Sequence, residues 1–300
     1  MEATLELREV RKAYGDFVAV ESVSFAVPKG SLYGLLGPNG AGKTTTIRMV
    51  MDILAPDRGE VLFFGRPRTR QDLRRIGYLP EERGLYRKMT VIDQLVFLAE
   101  INGVARREAQ RRAAAWLERL ELGAWGKAKI EALSKGMQQK IQIVGALVHQ
   151  PEIVILDEPF SGLDPINQGT LKEVLSELRA AGTTILFSTH IMEHAEKLCD
   201  RICLISRGRV LLEGELAALK RERGGNVFRL SAIGDLARAR AVPGVVEVID
   251  GPGGQRLLLA PEADATAVLR ELVSFLAVRE FRSEEPDLET LFIKAVGDAS

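Results

Sequence analysis

The chain has 300 residues, of which 46% are hydrophobic and 27% are charged, and it carries 41 basic and 41 acidic side chains. This composition is ordinary for a globular protein with one large domain or two smaller ones. The balanced charge argues against a nucleic-acid-binding protein that acts through bulk positive charge, although it leaves room for a local basic patch.

The two cysteines and the hydropathy pattern bear on the cellular compartment. Cys199 and Cys203 have neither the spacing of a redox Cys-x-x-Cys pair nor the number that a disulfide framework needs. We therefore expect reduced, partly buried thiols and a cytoplasmic protein. The sequence also lacks the pattern of a signal peptide and any apolar run of membrane-spanning length, so we expect neither feature.

Two half-buried strands are predicted near the start of the chain. Residues Leu5–Val10 and Val23–Val27 alternate apolar and polar side chains, which is typical of strands with one solvated face. Between them lies Tyr14, whose ring could stack on a nucleotide base if it were exposed beside a nucleotide site. Its position alone favours the alternative, a turn residue that packs on the core.

The stretch Gly37–Thr45 has the residue spacing of a phosphate-binding loop. Its glycines let the backbone wrap a polyphosphate, and consecutive N–H groups at a helix N-terminus then bind the phosphate oxygens. Lys43 can reach the β- and γ-phosphates, and the Thr44 hydroxyl can bind Mg²⁺. The flanking segments 31–36 and 44–54 predict the buried strand and the helix that such a loop joins. The candidate nucleotide-binding residues of the loop are Gly37, Pro38, Asn39, Gly40, Ala41, Gly42, Lys43, Thr44 and Thr45.

A helical insertion follows two further short strands, predicted at residues 60–64 and 75–80. The charged, aromatic segment 81–89 predicts an exposed loop. Three successive helices are then expected, the first with a capping box at its start, at residues 90–101, 106–122 and 133–149. We interpret the arginines of the second helix as an ordinary solvated face. The three helices predict a helical subdomain over about residues 86–150.

A buried apolar strand at 153–158 ends in two carboxylates, Asp157 and Glu158. Its continuous apolar run is typical of a parallel strand covered on both faces, and ligands bind at the carboxyl ends of such strands. Paired acids there suit Mg²⁺ and water; a merely solvated strand end becomes the weaker interpretation with a phosphate loop upstream. His190 follows the next predicted strand, 183–189, and so lies at the same edge of the sheet.

A second, smaller domain is predicted after a charged linker at 220–225. Its elements follow the β-α-β-β-α-β order of the ferredoxin-like fold, with strands and helices at 227–231, 235–241, 245–249, 256–259, 263–275 and 278–282. An amphipathic helix at 286–296 ends the chain. This part has no catalytic constellation, and we expect a regulatory or assembly role.

Together the motifs resemble the ATP-binding subunit of an ABC transporter over residues 4–217. The signature stretch of that family resembles residues 133–138, Leu-Ser-Lys-Gly-Met-Gln, and the loop after its acidic strand resembles residues 161–164. Tyr14 occupies the position where the family stacks an aromatic ring on adenine, which reverses the preference stated above. The segment 77–86 and the small second domain resemble sodium-extruding systems, whose membrane subunit is a separate chain.

The resemblance implies an α/β fold: a P-loop NTPase, ABC-type ATPase domain at 1–220, with antiparallel β and helical subdomains, and a C-terminal α+β domain at 221–300. It implies ATP and Mg²⁺ as cofactors. The implied catalytic residues are Lys43, Glu158 as general base for the attacking water, and His190 as sensor of the γ-phosphate. The implied metal contacts are Thr44, Glu81 and Asp157. The implied nucleotide contacts outside the phosphate loop are Tyr14, Ser134, Gly136 and Asp164.

Two departures from the family pattern qualify these roles. Glu81, or Glu82 in another register, stands where the family usually has Gln, so we expect a site that depends more strongly on its metal. Lys135 and Met137 stand where Gly and Gln are usual in the signature stretch. Lys135 either adds a phosphate or partner contact or is simply solvated.

The resemblance also implies partners. Two ATPase subunits, identical or paired, would clamp two ATP molecules, with Ser134 and Gly136 of one subunit capping the γ-phosphate bound to the other. A separate membrane permease would hold the protein at the inner face of the cell membrane, contacting the loop 81–89. That loop could equally pack only on its own subdomain. The alternatives are a soluble ABC-type ATPase acting on DNA or the ribosome, and a nucleotide-dependent regulator. No coiled-coil repeat or second phosphate loop supports the first of these.

Overall fold

The computed structural model describes residues 3–81, 84–223, 226–251, 254–284 and 287–298. The chain divides into two compact units, residues 1–213 and 214–300. The sequence put this division a few residues later, at 220/221. The difference arises because the helix Leu216–Arg223 packs on the last helix of the second unit, Leu288–Asp298. Much of the predicted linker is therefore helical, while Gly224 and Gly225 lie outside the described residues.

The described part of the first unit contains ten strands. They are Ala3–Tyr14 (β1), Phe17–Pro28 (β2), Leu32–Leu36 (β3), Arg58–Phe63 (β4), Arg66–Pro67 (β5), Ile76–Leu79 (β6), Ile153–Asp157 (β7), Thr184–Thr189 (β8), Arg201–Ser206 (β9) and Arg209–Glu215 (β10). One sheet joins them in the order β5-β4-β1-β2-β10-β9-β3-β8-β7-β6. Strands β1, β2, β4 and β5 are antiparallel, whereas β9, β3, β8, β7 and β6 run parallel.

The parallel half of the sheet sets the position of the site. Every residue of β3, β7 and β8 is buried, as expected for parallel strands covered on both faces. The register pairs Leu36 with Thr189, and Asp157 with Ser188. The carboxyl ends of these three strands therefore lie side by side, although they are far apart in the sequence.

Six α-helices belong to the same unit within the described residues. They are Lys43–Val50 (α1), Val91–Ile101 (α2), Arg106–Arg119 (α3), Lys135–Leu147 (α4), Pro165–Ala180 (α5) and Met192–Leu198 (α6). Helices α2, α3 and α4 share a separate hydrophobic core that includes Leu95, Leu117 and Val144, which gives the predicted helical subdomain. Thr90 caps α2 by accepting a hydrogen bond from the Asp93 N–H, as the capping motif predicts.

The second unit has the predicted ferredoxin-like arrangement. Its described strands are Asn226–Ile233 (β11), Val245–Gly251 (β12), Gly254–Leu259 (β13) and Ala277–Ser283 (β14), which form an antiparallel sheet of order β12-β13-β11-β14. Its helices are Leu216–Arg223 (α7), Ala265–Val273 (α8) and Leu288–Asp298 (α9). Side chains of β11, β13 and α8 build its core around Leu230, Leu257 and Leu272.

Several local predictions differ from the structure. Helix α1 ends at Val50 rather than Leu54, because residues 51–54 form turns and bends in which the N–H groups of Ile53 and Leu54 both bond the Arg48 carbonyl oxygen. The predicted helix 235–241 is a 3₁₀ helix, Leu236–Ala241. Helix α6 was not predicted, since its seven residues are too few to give a clear periodic signal.

The structure bears on two expectations from composition. Cys199 and Cys203 are free and buried, and burial raises the pKa of both thiols. Among the described residues, none of the helices combines the length and apolar character that a membrane-spanning segment needs.

Candidate functional site

The loop between β3 and α1 is built around glycines that no other residue could replace without strain. Gly37, Gly40 and Gly42 have φ angles of 151°, 78° and 104°, in the range that favours glycine. A Cβ at Gly37 would lie 2.1 Å from the Ile205 carbonyl oxygen, and one at Gly42 would lie 2.6 Å from the Ala19 carbonyl oxygen. Neighbouring backbone thus presses the loop into a fixed curve at the N-terminus of α1, where N–H groups are unpaired and attract anions.

Lys43 is the first residue of α1 and turns back over the loop. Its ammonium group donates hydrogen bonds to the carbonyl oxygens of Gly37, at 2.8 Å, and of Pro38, at 3.2 Å. It also lies 3.5 Å from the Glu158 carboxylate. Because the side chain is almost fully buried, this positive charge is held at the concave side of the loop.

Asp157 ends strand β7 and is buried beside Ser188 of β8. The Ser188 hydroxyl donates a hydrogen bond of 2.5 Å to Asp157 Oδ1, whereas Oδ2 has no hydrogen-bond partner among the described residues. Burial raises the pKa of Asp157, while the nearby hydroxyls of Ser188 and Thr44 act in the opposite direction. A buried carboxylate oxygen without a partner is poised to accept a cation or a donor.

Glu158 follows directly and has the backbone of a tight turn. Its φ is +49°, a left-handed conformation that costs a non-glycine residue about 1 kcal/mol or more. The Glu158 N–H donates to the Ser188 hydroxyl at 3.1 Å, which helps to hold this turn. The carboxylate then meets His190 Nδ1 at 2.9 Å and faces Lys43. Two acids adjacent in the sequence therefore point into different environments.

Lys43 and Glu158 border an open cleft of about 300 Å³. The residues that line it come from the phosphate loop, the β1–β2 hairpin and the two acidic segments: Phe17, Ala19, Asn39, Gly40, Ala41, Gly42, Lys43, Thr44, Thr45, Glu81 and Glu158. Glu81 thus shares a cleft with the loop, as its implied role as a metal contact requires. Glu82, the other register considered for that role, lies outside the described residues.

The β1–β2 hairpin carries two aromatic residues on one side, and one of them lines this cleft. Tyr14 ends β1, is about half exposed, and pairs across the hairpin with Phe17. Paired residues of an antiparallel ladder project to the same face, so the two rings belong to one side of the hairpin. Phe17 lines the cleft, whereas Tyr14 is not among its lining residues. Phe17 was not singled out from the sequence, although it lies in the Tyr-Gly-Asp-Phe run that held Tyr14.

A second group of candidate residues lies at the N-termini of α4 and α5, outside the cleft lining. Ser134 caps α4 by accepting from the Met137 N–H, and Asp164 caps α5 by accepting from the Asn167 N–H. The backbone hydrogen bond from Asn167 is the main reason that the pKa of Asp164 is lowered. Gly136 lies next to the Asn167 side chain, with room for a Cβ. These candidates are therefore close to one another but separate from the residues around Lys43.

Two contacts that the sequence did not reveal organise the region. Ser188 bonds both Asp157 and Glu158, and only its position before Thr189 and His190 could have suggested it. Gln139 of α4 donates hydrogen bonds to the carbonyl oxygens of Pro159 and Ser161, at 3.2 and 2.8 Å. The helix that carries the signature stretch is thereby tied to the turn after Glu158.

The donor set suits Mg²⁺ bound together with nucleotide phosphates. Asp157 offers a buried carboxylate oxygen that has no hydrogen-bond partner in the described part of the chain, and the Thr44 hydroxyl and the Glu81 carboxylate flank the same loop. Mg²⁺ prefers such oxygen ligands and completes its octahedron with water and phosphate. The residues therefore fit the metal that the motifs imply.

Comparisons with known proteins match both units of the chain. The family described as ABC transporter matches residues 20–161. The family described as ATP-binding protein DrrA1-3-like, C-terminal domain, matches residues 214–296.

Relatives align over nearly the whole chain. An uncharacterized ABC transporter ATP-binding protein of Bacillus subtilis, YhaQ, is 42% identical over 98% of both chains. The linearmycin resistance ATP-binding protein LnrL of the same organism is 34% identical over 98% of both. The Nod factor export ATP-binding protein I of Sinorhizobium fredii is 35% identical over 99% of this chain and 87% of its own.

Solved structures share the fold of the first unit. An ATP-binding subunit of an ABC transporter superposes with a TM-score of 0.69 at 35% identity, covering 74% of this chain and 93% of that one. A dimeric ATP-binding cassette in a post-hydrolysis state, bound to ADP and phosphate, superposes with a TM-score of 0.65 at 25% identity, covering 71% of this chain and 98% of that one.

The geometry of the loop predicts a strong effect of one methyl group. Gly42→Ala should weaken ATP binding at least about tenfold, because the new Cβ would meet the Ala19 carbonyl and distort the loop. Titration with a fluorescent ATP analogue measures the effect. Gly182→Ala is the matched control, since Gly182 also has a positive φ, 90°, but has no atom within 4 Å of an added Cβ. Wild-type affinity in the Gly42 variant would contradict the assignment of this loop to the phosphates.

Proposed function

The chain belongs to the family of ABC transporter ATP-binding proteins, and on that basis we propose that its ATP hydrolysis powers export of a substrate through a separate membrane permease. Cassettes of this family bind and hydrolyse ATP. The observation that carries the assignment of roles is the meeting of Glu158, Lys43 and His190 at the mouth of the phosphate loop. The relatives named for Nod factor export and linearmycin resistance support the direction of transport.

Glu158 is the proposed general base. A water molecule held by its carboxylate would lie beside the phosphate loop, where the γ-phosphate of a bound nucleotide ends. His190 holds the carboxylate through the 2.9 Å contact between its Nδ1 and Glu158, and its other ring nitrogen is the proposed sensor of the γ-phosphate. Lys43 balances charge on the phosphates while it remains anchored to the loop carbonyls.

Asp157, Thr44 and Glu81 are the proposed metal contacts. Bound Mg²⁺ neutralises charge on the β- and γ-phosphate oxygens. Asp157 would supply its Oδ2, and the hydrogen bond from Ser188 to Oδ1 holds that carboxylate in place. Glu81 replaces a neutral side chain with a negative one at the edge of the cleft, so nucleotide without metal should be repelled more strongly than in relatives with Gln.

The second group of residues supports a paired assembly. Ser134, Gly136 and Asp164 cluster at two helix N-termini outside the cleft, where the positive end of the helix dipole attracts an anion. Ile166, next to this cluster, is 83% exposed, as expected for a residue covered by a second subunit. We place these groups against the nucleotide of the opposite subunit and Tyr14 against adenine in its own.

An exposed apolar patch on the helical subdomain is the proposed permease contact. Tyr86 and Phe97 meet edge to face at 5.7 Å, and Ile101 lies one turn beyond Phe97 on α2. All three are exposed, and Leu85 anchors the preceding loop in the helical core. The loop thus packs on its own subdomain through Leu85 while Tyr86 stays exposed, and the exposed ring favours the interpretation of a permease contact over packing on the subdomain alone. The protein would then sit in the cytoplasm, peripheral to the inner face of the membrane.

In this proposal the membrane permease, rather than this chain, determines which substrate is exported. The resemblance of residues 77–86 to sodium-extruding systems finds no support among the relatives compared. The soluble alternatives, action on DNA or the ribosome and slow regulation, find none either. Nod factor export and linearmycin resistance make a secreted or toxic compound the favoured class.

The role of Glu158 predicts a specific loss of turnover. Glu158→Gln should lower kcat for ATP at least about 100-fold without abolishing ATP binding, because the amide cannot accept the proton of the attacking water. Steady-state ATPase assays and size-exclusion chromatography with ATP would measure turnover and the trapped dimer. Glu152→Gln, in the exposed carboxylate just before the same strand, is the control and should remain active. Full turnover in the Glu158 variant, or failure of the wild type to bind ATP or to pair, would refute the proposal.

Glu81 predicts an altered dependence on metal. In Glu81→Gln we expect tighter binding of metal-free ATP, since a negative charge near the phosphates is removed. The Mg²⁺ concentration for half-maximal activity should rise roughly threefold or more, because a charged ligand is lost. Magnesium titrations of ATPase activity and of nucleotide binding test both effects, again beside Glu152→Gln. Superimposable titrations would remove Glu81 from the metal site.

The exposed apolar patch on the helical subdomain predicts variants that lose the permease but keep their ATPase activity. The double variant Tyr86→Ser and Phe97→Ser should keep the basal ATPase rate within about twofold, since neither ring lines the cleft. It should lose most of its copurification with the membrane subunit from the native host, because an apolar contact is removed. Ile53→Ser, at an exposed apolar residue after α1, is the control. Undiminished copurification of the double variant would exclude this surface.

A further inference from the structure

The turn after Glu158 and the segment after β8 are joined by two contacts rather than one. The first is the hydrogen bond between Glu158 and His190 at the cleft. The second lies deeper, where the rings of Phe160 and His194 have centroids 4.5 Å apart and planes inclined by 52°. Because Phe160 is two residues beyond Glu158, and His194 in α6 is only four residues beyond His190, the second contact constrains the first.

Phe160 is well fixed on its other sides. It is 3% exposed and meets Phe187 of β8 edge to face, with centroids 5.9 Å apart. Gln139 holds the carbonyl oxygens of the residues on either side, Pro159 and Ser161. Residues of β8 and α4 therefore hold the turn through contacts that involve no titratable group. On the side of α6, the turn is held by His194.

His194 acts in this contact as an aromatic surface. It is 8% exposed, and its Nδ1 has no hydrogen-bond partner among the described residues. The charged groups that face it are Lys172 of α5, Glu193 and Lys197 of its own helix, and Glu158 of the turn. Lys172 also lies 5.8 Å above the Phe160 ring. A neutral ring fits this surrounding, whereas an imidazolium would be buried without a bonded acceptor at Nδ1 and near two lysines.

We propose that His194 is a positioning residue for ATP hydrolysis, whose neutral ring seats Phe160 and so keeps Glu158 in contact with His190. The inference rests on the proposed role of Glu158 as general base. It adds a proton-sensitive support beneath that base, built from residues that line no part of the cleft.

The support should weaken in acid. Burial, followed by the nearby Lys172, lowers the pKa of His194, whereas Glu193 and Glu158 act against that shift. The folded state therefore favours the neutral ring, and the contact is intact above the ordinary histidine pKa of about 6.5. As the pH falls through the lowered pKa, the ring becomes charged, the seat for Phe160 is disturbed and kcat falls.

Two substitutions at His194 distinguish the effect of the aromatic ring from the effect of its protonation. His194→Ala should lower kcat about tenfold near pH 7.5 and leave KM for ATP within about twofold, because the base is misplaced while the phosphate loop is untouched. His194→Phe keeps a ring that cannot be protonated, so it should retain kcat within about twofold and lose less activity than the wild type between about pH 7 and 5.5.

His149 provides a matched control for a buried histidine. It is also 8% exposed, its Nδ1 also has no partner among the described residues, and burial also lowers its pKa. Its ring, however, contacts the Ile76 carbonyl, at the opposite end of β6 from the cleft. His149→Ala should therefore keep kcat and the wild-type pH profile. Phe160→Leu gives a second test, since the His194→Ala substitution should cost less in that background.

The outcomes decide between the possibilities. Each variant is first checked for wild-type affinity for a fluorescent ATP analogue, and the wild type and Glu158→Gln are assayed alongside. Unchanged kcat in His194→Ala overturns the inference, as do an equal loss in His194→Phe and an equal loss in His149→Ala. If Glu158→Gln turns over like the wild type, the proposed function fails instead. An inactive Glu158→Gln with a fully active His194→Ala leaves that function standing and removes only the positioning role.

Discussion

The hydroxyl of Ser188 connects the two acidic residues at the carboxyl end of the parallel strands. It donates to Asp157 and accepts from the Glu158 N–H, so a single side chain fixes both carboxylates. The parallel register makes this possible, since it sets Ser188 directly beside Asp157. Without that lateral bond, the left-handed turn at Glu158 would lose an interaction that offsets its backbone strain.

The same edge of the sheet separates two carboxylates that are neighbours in sequence. Asp157 ends a buried strand, where burial raises its pKa, and its Oδ2 has no hydrogen-bond partner within the ranges that the structure describes. Glu158 turns outwards to Lys43 and His190. Environment rather than residue type therefore distinguishes an acid suited to a metal from one suited to a water molecule.

Motifs with strong backbone requirements could be predicted from the sequence. The phosphate loop was evident because only glycine tolerates its φ angles and close backbone approaches, and β7 was evident because a strand covered on both faces needs an uninterrupted apolar run. The predicted order of strands and helices in the second unit was enough to predict its ferredoxin-like fold. Contacts such as Ser188–Asp157 and His194–Phe160 could not be predicted, because they join separate strands and helices through residues that are unremarkable in their own segments. The position of Phe17 beside the cleft could not be predicted either, because it depends on the register of the β1–β2 hairpin, and residue types alone do not determine that register.

The turn after Glu158 connects chemistry to the helical subdomain. Gln139 bonds it on one side, and Gln139 belongs to α4, which packs with α2 beneath the exposed Tyr86 and Phe97 rings. A shift of the Glu158 turn must therefore either break two hydrogen bonds, at about 1 kcal/mol each, or carry α4 with it. Because the three helices share one packed core, moving α4 as a rigid body costs less than deforming it. The packing thus favours transmission of a displacement of the Glu158 turn to the surface proposed for the permease.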